Sequence, residues 1–285
     1  MRGDTMYEDV QRYVLVAKLH SYLRDGPAAV RILSDGLERH PRSPHLYRHR
    51  GHFRITIRDF AGAIDDFERA IPLLDPYDDE IEFYQRELVP EMERAVLGQP
   101  LQLLARPTPI TEETLVDLRN VYKGTLAWST WYHYGLARYL RGEFDLAADT
   151  YETTLGFCVD DDMRIATLDW WYMSLRRAGR TEEAARLLAG IDLDAMHVVE
   201  PSYLRRVRMY RGELAADDLL GSASNETRAF ATQGYGVGNW LYNDGKTAEA
   251  AAVFQRVVEL GQKEAFGRIA AEIDLAALAA EQPAR

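Results

Sequence analysis

Trp131-Tyr132-His133-Tyr134-Gly135-Leu136-Ala137, followed by Arg141-Gly142-Glu143-Phe144-Asp145-Leu146-Ala147-Ala148 and Tyr151, is the stretch that decides the fold. It reads as two helical patterns joined by a polar turn. Gly135 in the first helix and Ala147 in the second are small enough to let the helices approach closely. Trp131, Phe144 and Tyr151 are large enough to fill the space between them. Gly142 provides the backbone freedom that a chain reversal needs.

The same frame fits elsewhere in the chain. From Pro44 it gives Tyr47, Gly51, Phe60, Ala63, Phe67 and Ala70, with Pro76 after the pair. From Ala231 it gives Gly238, Leu241, Gly245, Ala250, Phe254 and Val257. From Ile165 it gives Leu168, Leu175, Gly179, Ala184 and Leu188. A weaker copy from Val10 gives Tyr13, Ala17, Ala29, Leu33 and Pro41. The starts at Val10 and Pro44 lie 34 residues apart. A fixed period of this length marks a stack of helix pairs, each too small to bury its own apolar face.

This pattern resembles the tetratricopeptide repeat over most of the chain. The runs Arg48-His49-Arg50-Gly51-His52, Trp131-Tyr132-His133 and Gly234-Tyr235-Gly236-Val237-Gly238-Asn239-Trp240 also resemble those of bacterial repeat proteins of unknown role. The resemblance implies an all-α, right-handed solenoid of about five to six helix pairs. Residues 1–285 are then one domain, with repeats at about 10–43, 44–76, 128–161, 165–194 and 231–264. A degenerate unit is expected at 198–220, where Tyr203 to Leu214 has the helix-and-turn pattern. An insertion occupies 77–127. It opens on Asp75, Asp78, Asp79, Glu80 and Glu82, continues as helix to Leu97 with a break at Pro90, and passes through an extended Arg106-Pro107-Thr108-Pro109. Thr111 then caps a short helix that begins Glu112-Glu113. A capping helix over 265–281 presents Phe266, Ile269, Ile273 and Ala277 on one stripe.

The repeat family lines its concave face with fixed positions of the first helix in each pair. Carried over by position, these give His45, Arg48 and His52, then Tyr132 and Tyr139, then Asp169, Met173 and Arg176, then Tyr235, Asn239 and Tyr242. The set is rich in Tyr and Arg, which combine planar surface with hydrogen-bonding atoms and are favoured at binding surfaces. The resemblance therefore implies a groove for a peptide segment or partner protein. The alternative is a small-molecule or catalytic pocket beneath the insertion, lined by His45, Arg48, His52, Tyr132, Asp169 and Asn239. Exposed repeat faces also suit homo-oligomers.

Several features have plainer readings. His45, His49 and His52 share a helical stripe, but no carboxylate stands at matching spacing, so no metal ligand is assigned. Arg50, Arg54 and Arg138 fall where the repeat expects apolar side chains. Buried, they need carboxylates, and the candidates are Asp65, Asp66 and Glu68 on the paired helix, or the acidic insertion. The glycines of Gly234-Tyr235-Gly236-Val237-Gly238 follow no strand, so close helix packing explains them better than a nucleotide loop. Cys158 reads as a buried, inert thiol, and of Trp170-Trp171 the second falls on a core position. Asn225-Glu226-Thr227 reads as a helix cap rather than a glycosylation site. No Ser-His-Asp order, nucleophile elbow or phosphate loop is present, so no catalytic residue and no cofactor are assigned.

Composition narrows the partners. Among 285 residues, 47% are hydrophobic and the formal net charge is −11, which opposes nucleic acid and anionic lipid. No run approaches the roughly 18 apolar residues of a membrane span. One cysteine makes no internal disulfide, and the N-terminus has no apolar signal stretch, so the expected location is cytoplasmic.

Overall fold

The computed structural model describes residues 2–74, 79–84, 88–222 and 227–281. The expected Asp75, Pro76 and Asp78, the Asn225-Glu226 of the sequon and the tail from 282 lie outside these. Helix dominates throughout. Contacts divide the chain into two compact units, Met1–Ala137 and Arg138–Arg285. Among the described residues no helix is long and apolar enough to cross a membrane.

Helices follow one another in pairs: α1 (Arg2–Tyr22) and α2 (Gly26–Arg39), then α3 (Pro44–Thr56) and α4 (Phe60–Ala70). After the insertion come α7 (Leu126–Leu140) and α8 (Phe144–Thr154), α9 (Asp161–Arg177) and α10 (Thr181–Ala189), α11 (Ser202–Tyr210) and α12 (Ala216–Ser222), and α13 (Thr227–Asn243) and α14 (Thr247–Leu260). All six turns have one geometry. A residue of positive φ stands in each: Arg24, Arg58, Gly142, Gly179, Gly212 and Gly245. In each, that residue's N–H donates to the carbonyl three residues back, and the next N–H donates to the carbonyl five back, as in Asp25 to His20 and Lys246 to Leu241. This is the Schellman closure, which satisfies the last carbonyls of the first helix while reversing the chain. Arg24 and Arg58 are 34 residues apart, and Gly179, Gly212 and Gly245 follow at intervals of 33.

The small positions act as their spacing suggests. A Cβ on Gly51 would lie 2.8 Å from the Phe67 ring, and one on Gly238 would lie 2.4 Å from Phe254. Ala63, Ala147, Ala184 and Ala250 are fully buried. The expected arginine network is present in α3 and α4: Asp66, 1% exposed, receives Arg50 at 2.6 Å and Arg54 at 3.1 Å. Arg138 pairs instead with Glu143 at 2.9 Å.

The insertion departs from expectation. Ile81–Phe83 is not helix but a strand, β1, paired antiparallel with β2 (Lys123–Thr125) so that Glu82 faces Gly124. Pro90 does not break a helix. It stands in the first turn of α5 (Val89–Val96), where its missing N–H goes unneeded. Thr111 caps α6 (Glu112–Asp117) as its sequence suggests. Ile81, Phe83, Leu88, Met92, Leu101 and Leu104 pack with Leu15 of α1 in one core cluster. Other details shift. Trp170 is buried at 1% exposure while Trp171 is half-buried. Cys158 is half-buried, near Thr154 and Thr167. The final helix, α15 (Phe266–Glu281), buries Ile269, Ala270, Asp274 and Leu278, and leaves Ala277 exposed.

Candidate functional site

In the first unit, α1 and α3 meet β1 across a buried polar cluster. Glu80 and Glu82 come from the insertion, two residues apart in extended backbone, which places their side chains on one face. Glu80 accepts from His45 Nε2 at 2.7 Å and from the Tyr7 hydroxyl at 2.5 Å. With its proton on Nε2, His45 offers Nδ1 to the Gln11 amide at 3.4 Å. Glu82 lies 2.8 Å from Arg48 Nη2 and 3.4 Å from His49 Nε2. Arg48 Nη1 donates to His49 Nδ1 at 3.0 Å, which places the His49 proton toward Glu82.

Charge balance in this cluster follows from burial. Burial alone pushes Glu82 up, but Arg48, His49 and Lys18 outweigh it and hold the carboxylate well below its usual range. Burial, with Arg48 and Lys18 adding, holds His49 neutral. Burial lowers the Lys18 amine to about 8, opposed by Glu82 and assisted by Arg48. A cavity of about 20 Å³ lies among Gln11, Lys18, His45, His49, Glu80 and Glu82, with room for about one water.

A second polar group stands beside the first. His133 Nδ1 donates to the Ser129 carbonyl at 2.6 Å, and His133 Nε2 lies 3.0 Å from His52 Nδ1. The carbonyl fixes the tautomer: His133 Nε2 accepts, and His52 Nδ1–H donates. Burial pushes His133 down to about 3 and holds His52 well below its ordinary value. Tyr132 is buried and stacks on Trp128 at 4.8 Å between ring centres.

The second unit has two networks of its own. Asp169 of α9, fully buried, pairs with Arg206 of α11 at 3.0 Å. Arg206 Nε donates to the Tyr210 hydroxyl at 3.2 Å, and its Nη2 lies 2.9 Å from Met173 Sδ. Burial pushes Asp169 up to about 7 against the pull of Arg206. A Cβ on Gly236 would stand 2.3 Å from Arg206 Nε, so that glycine makes room for the guanidinium.

The other network runs in one direction. Asn239 Nδ2 donates to the Tyr139 hydroxyl at 2.7 Å, Tyr139 to Tyr235 at 2.7 Å, and Tyr235 to Asp274 of α15 at 3.0 Å. Arg177 closes it on Asp274 at 2.8 Å, its guanidinium flanked by Phe144 and Tyr242. Arg176 donates to the Tyr172 hydroxyl and to Asp244.

Of the eleven residues expected to line a groove, Arg48, Tyr132, Tyr139, Asp169, Met173, Tyr235 and Asn239 are buried and His45, His52, Arg176 and Tyr242 half-buried, and the chain's own segments meet many of them. β1 and its flank engage His45 and Arg48, and α15 engages the Tyr139, Tyr235 and Asn239 line. His45, His49 and His52 turn to three different partners. Among the described residues no three His, Cys, Asp or Glu side chains are placed to hold a metal ion. Sequence reasoning missed Arg206 and Asp274, and it offered the acidic insertion to Arg50, Arg54 and Arg138 rather than Glu80 and Glu82 to His45, Arg48 and His49. The Glu80-Ile81-Glu82-Phe83 alternation was the one local signal for a strand with both carboxylates on one face. Comparison with known protein families gives no match, and comparison with curated proteins gives none.

Proposed function

We propose that the chain is a tetratricopeptide-type solenoid whose role is to bind a partner protein or peptide. The repeat reading is supported by six helix pairs closed by one turn geometry, with intervals of 33 and 34 residues among them. The binding reading is carried by one observation. The helix face that the resemblance marks as peptide-binding holds an extended segment, gripped through Glu80 and Glu82 by His45, Arg48 and His49. The chain supplies this segment itself, so a partner docks on surface left open beyond it. The small-molecule reading has less support. The cavity beside the insertion has room for only about one water, and the acids and imidazoles around it are engaged with one another.

The test is affinity capture on the immobilised full chain, with each captured protein then purified and titrated against it by calorimetry. A saturable one-to-one complex is the expected result. Failure of every captured protein to bind when purified, together with a small molecule that co-purifies and raises thermal stability, would overturn the reading. Light scattering of the chain alone separates a partner from a second copy.

A further inference from the structure

His52 and His133 face each other across a joint in the first unit. His52 lies on α3 and His133 on α7, 81 residues apart in sequence. The regular alternation of helix pairs is broken between α4 and α7. There the chain passes through β1, α5, α6 and β2, none longer than eight residues. Side chains from the first part of α7 close the joint on α3 and α4. His133 lies 3.0 Å from His52 and stacks on Phe67 at 6.4 Å between ring centres, and the Tyr134 hydroxyl donates to Glu68 at 3.0 Å. Joints bordered by short elements are places where a fold opens locally, short of unfolding as a whole.

A proton finds no place in the closed joint. His133 Nδ1 is committed to the Ser129 carbonyl at 2.6 Å, and its Nε2 accepts from His52. A proton on Nε2 would set two N–H groups against each other at 3.0 Å. A proton on His52 would add a buried charge beside the cationic Arg48 of α3 and Lys18 of α1. Glu82 of β1 opposes this at His133, but Arg48 and His49 already engage it. Other neighbours carry no charge near neutral pH. His49 is held neutral, and Tyr84, which meets Ser129 Oγ at 3.1 Å, is pushed up to about 12 by burial. The rings of Phe53, Phe67 and Tyr132 complete the surroundings.

We propose that His52 and His133 form an acid-sensitive latch, whose protonation releases residues 128–137 of α7 from α3 while β1 and the second unit stay in place. Released, a stretch of ten residues is too short to persist as helix in water, so it unfolds locally. Both imidazoles then reach water and take up the protons that the closed joint refuses. Each multiplies the opening constant by about ten for every pH unit below about 6.5. Two of them give about a thousandfold between pH 6.5 and 5.0. His49 stays against Glu82 and adds nothing.

Hydrogen exchange of the full chain, read by mass spectrometry and corrected for intrinsic exchange rates, tests this. Between pH 6.5 and 5.0 the opening constant of residues 128–137 is expected to rise about a thousandfold, and that of α14 in the second unit less than about tenfold. In His52→Gln/His133→Gln, which keeps a donor and an acceptor at the joint, the rise should fall to about threefold or less. Each single glutamine variant should retain about thirtyfold. A rise in α7 no larger than that in α14 overturns the proposal, because the pair then acts only on global stability. A thousandfold rise that survives in the double variant overturns it as well. Should the double variant lose its helical circular dichroism, the single variants decide, and an undiminished rise in either sinks the latch.

Discussion

At the scale of single residues, the buried charges decide what each substitution does. Asp169 and Arg206 are 0% and 1% exposed, so neither has water to fall back on. Arg206→Met leaves a carboxylate stranded, and urea unfolding should show a loss of about 3–5 kcal/mol. Asp169→Leu with Arg206→Met should recover most of that loss, since an apolar pair of similar volume is often neutral. The imidazoles of His52 and His133 give a pH dependence of definite sign. Burial depresses both, so the unfolded chain takes up protons below about pH 6.5 that the folded chain refuses. Stability is therefore full above that pH and falls as pH drops, by up to about 1.4 kcal/mol per pH unit for each histidine. His52→Gln keeps a donor toward His133 and removes one titrating group. Its urea midpoint should fall less than that of the parent between about pH 7.5 and pH 5. Asp169, raised to about 7, acts with the opposite sign, so the difference between the two proteins is the quantity to read.

At the scale of elements, the shared turn separates what was legible from what was not. Four of the six turns carry glycine, and these the period exposes directly. Arg24 and Arg58 occupy the same left-handed conformation with a side chain that disfavours it. Arg24 is exposed, and Arg24→Gly should raise stability by up to about 1 kcal/mol, the relief of left-handed strain exceeding the added freedom of the unfolded chain. Gly142→Ala should lower it by a similar amount. Both changes are read from urea midpoints. Helix pairing was legible because small, large and turn residues recur in fixed order, as in Gly51 under Phe67. β1 was not. Three residues are too few for an alternation to outweigh the acidic, helix-like context, and its place is set by Lys123–Thr125, some 40 residues later. His45, Arg48 and Tyr235 could be singled out from the sequence by their repeat positions. Their partners were not legible, because Arg48 finds Glu82 and Tyr235 finds Asp274 through tertiary packing that no local pattern encodes.

At the scale of the whole molecule, the charges fall into two kinds that mutation should separate. Arg48 is buried at 2% and belongs to the interior, paired with Glu82. Arg164 and Arg186 are exposed and belong to the surface. Interior and surface arginines should therefore differ in what their loss costs the fold. Arg48→Ala leaves Glu82 as a buried, poorly compensated charge and should cost about 3 kcal/mol in chemical unfolding. Its effect on partner binding should follow the fraction of folded protein and nothing more. Arg164→Glu/Arg186→Glu should unfold close to the parent's midpoint, since exposed pairs at 3.8 and 4.0 Å contribute less than about 1 kcal/mol. The reverse outcome, with Arg48→Ala stable but unable to bind, would mean that the β1 segment leaves its place and that the α3 face carrying Arg48 is open to partners after all.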